Sequence, residues 1–248
     1  MTHEAESTKG PAPRLWLLVV VVLAIVTLSS QVPSSAAAST SPDLDLILQR
    51  MEEVAHQDPA QSRPYEVTRE YKVFRGEDKQ PTSEVMAQIV FVPPDNKTYK
   101  ITQVRGNSRG EKIVRELLDR ETESAKKRHD SEISRANYTF VFLREENFGV
   151  VPEYVFRIVP KRKARYLLRG QIWVDESTFR IRRMEGVPAK SPSIWIKGVH
   201  ITLQFAQLSG MWVPISFDAI ATVRLLGQYT LAGLTIPVPN PPSTVSKH

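Results

Sequence analysis

Two stretches near the C-terminal end, residues 194–208 and 211–226, constrain this chain more than any other feature. In the first, Val199, Ile201, Leu203 and Phe205 alternate with His200, Thr202 and Gln204. In the second, Val213, Ile215, Phe217, Ala219, Ala221, Val223 and Leu225 share one side. Strand side chains alternate between faces, so each stretch reads as a single strand with one apolar face. At about 15 residues each, far above the usual 5–6, they would span on the order of 50 Å. Strands of that length in a chain of 248 residues must curl, and Gly198 and Pro214 are natural places for the bend. The small pair Ala219 and Ala221 in the apolar stripe requires either a closely packed element or a hollow above it.

The neighbouring segments extend the pattern. Period-two runs occur from residue 63, where Tyr65, Val67, Tyr71 and Val73 oppose Glu66, Thr68, Glu70 and Lys72, and at about 84–92, 98–105, 138–144, 154–160, 165–175, 178–187 and 229–236. Connections such as Lys161-Arg162-Lys163 and Ser209-Gly210 are short and polar, so successive strands pair antiparallel. Two helices interrupt the strands. The first, about 44–57, follows Ser39-Thr40-Ser41-Pro42, read as a Ser cap with Pro at the first helical position, and repeats Leu44, Ile47, Leu48, Met51, Val54 and Ala55 at helical spacing. The second, about 111–128, has Ile113, Val114, Leu117 and Leu118 in its first half and nearly all charge in its second, which reads as exposed. The predicted class is α+β, mainly β: one curved antiparallel sheet of about ten strands, with the helices as the only available filler for its concave face.

The hairpin at 165–185 separates two surfaces. Tyr166, Leu168, Gly170, Ile172 and Val174 point one way; Arg165, Arg169, Gln171 and Asp175 point the other, with Trp173 among them. The second strand is expected to bury Phe179 and Ile181 and to expose Arg180 and Arg182. Arg169, Arg180 and Arg182 thus form a basic face that suits an anionic partner or simply keeps the sheet soluble.

The N-terminal region carries an apolar run over 15–28, shorter than the roughly 20 residues a membrane-spanning helix needs. Small residues at Ala36 and Ala38 follow, so residues 1–38 read as a secretory signal, with an uncleaved membrane anchor facing the periplasm as the alternative. A domain over 39–236 and a Pro-rich, disordered tail over 237–248 complete the organisation. With Cys 0, disulfides, thiolate chemistry, Cys-bound metal and an acylated N-terminal Cys are all excluded. The net charge is +6, but nucleic acid does not fit an exported chain. No constellation carries catalytic chemistry. The histidines have no ligand spacing, Gly106–Gly110 lacks the phosphate-loop ending, and Asp175-Glu176 sits in a tight turn. The chain reads as a non-enzyme with no cofactor and no metal.

One resemblance draws these features together. The run Leu48-Gln49-Arg50-Met51 in the leading helix, the strand 65–71, the hairpin Gly170-Gln171-Ile172-Trp173-Val174-Asp175 through Thr178-Phe179-Arg180-Ile181, and the step Gly210-Met211-Trp212-Val213-Pro214 resemble the LolA/LolB-like outer-membrane lipoprotein-sorting proteins. The likeness covers nearly all of 42–236 and includes no catalytic fingerprint. It implies an unclosed β-barrel lidded by helices, with a hydrophobic cavity for the acyl chains of a lipoprotein or another lipid. Lacking Cys, the chain is closer to the soluble LolA-like carrier than to the lipid-anchored form. On this reading Leu168, Ile172, Val174, Ile181, Ile201, Leu203, Phe205, Ile215 and Phe217 line the cavity. The implied protein is a periplasmic monomer, loaded by an inner-membrane transporter and unloaded to an outer-membrane acceptor. The rival is an envelope sensor or scaffold of the same fold, anchored by its N-terminal segment and docking a partner through the basic face.

Overall fold

The computed structural model describes residues 43–191, 194 and 196–236, so the expected leader and Pro-rich tail lie outside the described residues. The chain opens with α1 (Leu44–His56) and a 3-10 turn (Pro59–Gln61). Strands β1 (Tyr65–Arg75), β2 (Ser83–Val92) and β3 (Asn96–Gly106) follow. Then come α2 (Ser108–Lys126) and the short α3 (Arg128–Ser131). The rest is β4 (Tyr138–Phe148), β5 (Val151–Pro160), β6 (Leu168–Asp175), β7 (Ile181–Pro188), β8 (Ile196–Leu208), β9 (Met211–Val223) and β10 (Gly227–Ile236).

These ten strands form one antiparallel sheet in the order β3-β2-β1-β10-β9-β8-β7-β6-β5-β4. The C-terminal strand returns to pair with β1, from Thr68↔Ile236 to Arg75↔Tyr229. Among the described residues β3 and β4 are paired on one side only, so the barrel is unclosed, as expected. The two long strands are there as well, paired from Ile196↔Val223 to Leu208↔Met211. The pairing shifts register at both expected places: between Ile196 and Gly198, and between Gln204 and Phe205, where β9 passes from Ser216 to Pro214 and leaves Ile215 as the extra residue. Such a bulge bends a strand and increases its twist.

Local chemistry sets the helix starts. The cap of α1 is Asp43, whose carboxylate accepts from the Asp45 and Leu46 amides at 3.1 and 3.2 Å. The expected Ser cap lies outside the described residues. Asn107 caps α2 through the Gly110 amide. Gly110 then lies so close to Ser83 that no Cβ fits, which brings the helix start down onto β2. Gly170 and Gly186 face each other across β6 and β7, and a Cβ on either would strike the partner strand's backbone.

Each helix makes its own core on the inner face. Under α1, Ile47, Leu48 and Met51 pack with Tyr138, Phe140, Phe156, Ile158, Ile172 and Val174. Under α2, Val114 and Leu118 pack with Val67, Tyr71, Val73, Val85, Ala87 and Ile89. Fully burying such side chains stabilises by roughly 1.5–3 kcal/mol each. No residue of β8 or β9 is a buried member of either cluster. The longest strands therefore form a floor between two cores.

Candidate functional site

Over that floor lies a cavity of about 790 Å³. Its floor is β8 and β9, its roof is α2, and β1 and β10 close one side. The hollow has a simple origin. Beneath α2 the strands present Ala219, Ala221 and Gly233, which fill little volume. The helix turns Val114 and Leu118 into its own core, leaving Ile113 and Leu117 to face the hollow. Ligand pockets of several hundred Å³ with mostly apolar walls are common where a sheet curls under a helix.

The sheet also splits beside the cavity. Strands β7 and β8 pair only from Arg183↔Gln204 to Gly186↔Ile201. Beyond that point Pro188 on one strand and Ile196 and Val199 on the other line the cavity without pairing to each other.

Of the expected cavity residues, the structure brings Leu168, Ile201, Leu203 and Phe217 to this wall. Ile172 and Val174 are fully buried beneath α1 and do not line this cavity. Ile181 and Phe205 line a smaller pocket of about 240 Å³ with Met51, Asp58, Arg180 and Trp212. Ile215 reaches neither space, because it is the bulged residue of β9. A strict period-two reading passes through a bulge without registering it.

The expected basic face is divided. Arg169 is exposed. Arg180 is not in a strand at all: Phe179 has φ 55, and β7 starts only at Ile181. Arg180 pairs with the buried Asp58, which also accepts from the Trp212 amide at 3.2 Å, and its guanidinium stacks over the Trp212 ring at 5.4 Å. Arg182 reaches Glu153 at 3.1 Å and Asp175 at 3.4 Å. Burial pushes the Glu153 carboxyl up against the pull of Arg182. Trp173 and Asp175, expected outside, are 5% and 7% exposed. Trp173 donates to Glu146 and lies under Arg183, while Asp175 accepts from the Ser177 and Thr178 amides. The outer face of this hairpin is a small polar core, because long side chains from neighbouring strands fold over it.

The sequence reading missed the cavity's polar wall. Arg69 lies in the inward stripe of β1 and donates to Glu121 on α2 at 2.8 Å and to Thr235 on β10 at 3.3 Å. Lys97 on β3 donates to the same Glu121 at 2.7 Å. The side chains of Arg69, Lys97 and Glu121 are 13%, 14% and 24% exposed. Burial alone would raise the Glu121 carboxyl, but the two cations and their hydrogen bonds outweigh it and hold it at about 2. The charged second half of α2, expected to be exposed, therefore contributes an inward carboxylate. An arginine within an apolar stripe was the available signal; its partner, 52 residues further on, was not.

Comparison with solved structures finds distant likenesses. The chain is similar to a domain assigned to the outer membrane lipoprotein-sorting proteins of Vibrio parahaemolyticus, with 15% identity, 76% of this chain and 89% of that chain covered, and a TM-score of 0.44. It is also similar to a LolA superfamily protein from Nitrosomonas europaea, with 14% identity, coverage of 80% and 94%, and a TM-score of 0.36. MucB follows, with 8% identity, coverage of 80% and 94%, and a TM-score of 0.25. No protein-family model and no curated protein matches the chain. At these identities and scores the likenesses carry no functional argument, which rests on the cavity.

Proposed function

We propose that this protein is a periplasmic carrier that holds the acyl chains of a lipoprotein, or another lipid, in the cavity over β8 and β9 and moves them toward the outer membrane. The observation that carries this reading is the apolar volume of about 790 Å³ that the chain leaves unfilled. Burying acyl methylenes there is favourable by about 0.8 kcal/mol each, which suits transfer by differential affinity. Leu168, Ile201, Leu203 and Phe217 would touch the chains, together with Ala219, Ala221 and Val223. Residues 1–38 would direct export, and the domain over 39–236 would act as a monomer between an inner-membrane donor and an outer-membrane acceptor. The alternative of a docking scaffold finds less support, since Arg180 and Arg182 are already paired with carboxylates.

The test is to purify the protein from the periplasm and extract it with organic solvent. A lipid at near one-to-one stoichiometry, with protection of a lipoprotein from aggregation, is the expected result. Protein that yields no lipid and gives no protection would overturn the proposal.

A further inference from the structure

The polar wall of the cavity is out of balance. Arg69 and Lys97 converge on one carboxylate, Glu121; Arg69 and Glu121 line the cavity, and Lys97 backs Glu121 from β3 without lining it. Two cations against one anion leave a surplus positive charge where solvent is scarce, and a buried charge without a partner is costly. Arg69 uses Nη1 on Glu121 and Nε on Thr235, which leaves the Nη2 donors unused. Beside them the Tyr71 side chain is 1% exposed, and its hydroxyl lies next to the Arg69 guanidinium without a well-aligned hydrogen bond to it or to any other group. Its ring lies over Gly233, where a Cβ would come within 3.0 Å of it. Both Tyr71 and Arg69 line the cavity.

Resting on the reading of the cavity as an acyl-chain site, we infer that this wall binds the anionic head of an amphiphile, a carboxylate or a phosphate, whose chain runs along Ala219, Ala221 and Val223. One oxyanion supplies both missing elements: an acceptor for the Tyr71 hydroxyl and the free guanidinium donors, and the charge that balances Lys97 and Arg69. An alcohol head supplies an acceptor but no charge. An ammonium head adds a third cation. The remaining charged residues of the cavity point the same way, since Arg109, Lys112, Arg120 and Arg165 line it against Glu116. A cleft with that excess draws anions from a distance.

The test uses the full chain freed of lipid and four probes of one chain length, each below its micelle concentration: hexadecanoate, monohexadecyl phosphate, hexadecanol and hexadecyltrimethylammonium. Displacement of an apolar fluorescent dye reads affinity. Both anions are expected to bind about tenfold or more tighter than the alcohol, with the ammonium weakest. Preference between the two anions separates a fatty-acid source from a phospholipid source. Arg69→Gln should bring anion and alcohol together. Tyr71→Phe, which keeps the ring and its packing, should weaken the anions several-fold, leave the alcohol unchanged and raise the melting temperature of the empty protein. A purely structural tyrosine would not show that crossed pattern. Equal binding of alcohol and anion by the unaltered protein, or an anion preference that survives both substitutions, overturns the inference and leaves the cavity reading standing. Failure of every probe to enter overturns both.

Discussion

The two helices lie on the same face of the same sheet, yet one covers a filled core and the other a hollow. Beneath α1 the strands supply rings: Tyr138, Phe140 and Phe156 are buried, and Phe142 packs on Phe156 with ring centroids 5.7 Å apart. Beneath α2 Tyr71 and Tyr229 are buried among β-branched residues near β2, but farther along the strands supply only Ala219, Ala221 and Gly233. The attachment differs too. α1 is held by Ile47, Leu48 and Met51, with a half-exposed Glu52–Arg135 ion pair at its edge, whereas α2 adds a largely buried ionic link to the sheet from Glu121 to Arg69 and Lys97. Apolar packing is non-directional and tolerates no gap; an ion pair fixes a helix at a distance and leaves the space beside it open. The contrast assigns α1 to stability and α2 to the boundary of a site.

Breaking the filled half should have the largest effect. Phe156→Ala, at a fully buried position, should cost about 3–5 kcal/mol in denaturant unfolding, and lipid retention should fall only as the protein unfolds. Retention that falls before stability does would show that the two halves are not separate.

Breaking the ionic link comes next. Glu121→Gln leaves Arg69 and Lys97 without their carboxylate and should cost about 3 kcal/mol at neutral pH. The unaltered protein should show the matching pH dependence. The Glu121 carboxyl is held at about 2 in the fold against 4.5 ordinarily, so its contribution is complete above about pH 4.5 and is lost as pH falls toward 2. Melting temperatures across that window should converge for the two proteins. A constant gap down to pH 2 would show that Glu121 is not the titrating group.

The outer face of the hairpin gives a smaller, paired effect. Arg182→Ala strips the buried Glu153 of its cation and should cost about 2 kcal/mol, while Arg169→Ala, which is exposed, should stay within about 0.5 kcal/mol. Equal costs would restore the uniform basic face that alternation suggests.

What the sequence made legible follows from the range of each interaction. Strand existence, antiparallel order and the two helices depend on period and short connections, so 194–208 and 211–226 were found as β8 and β9 within a few residues. The apolar wall was legible where alternation runs unbroken, at Ile201, Leu203 and Phe217. It failed at Ile215, because a bulge changes the count without changing residue type. It also failed at Ile172 and Val174, which have the right face but lie under α1, and face alone does not say what covers it. The polar wall was out of reach because Arg69, Lys97 and Glu121 come from three elements whose meeting is tertiary.

Closing the hollow should change stability little, and it is the sharpest test of the contrast. Ala219→Leu combined with Ala221→Leu adds two branched side chains to a wall that faces empty space. In a packed core such enlargement costs about 1–3 kcal/mol, because neighbours must move. Here the added methyls meet a void, so overpacking and new contact should nearly cancel, leaving stability within about 1 kcal/mol of the unaltered protein. Lipid capacity should nonetheless fall, since the added side chains take up part of the chain's path. The same enlargement under α1, Val174→Leu, should be destabilising, because that side chain is fully buried in the filled cluster. The pair of outcomes, near-neutral with loss of lipid in one half and destabilising in the other, follows only if the space over β9 is a working hollow and the space over β6 is not.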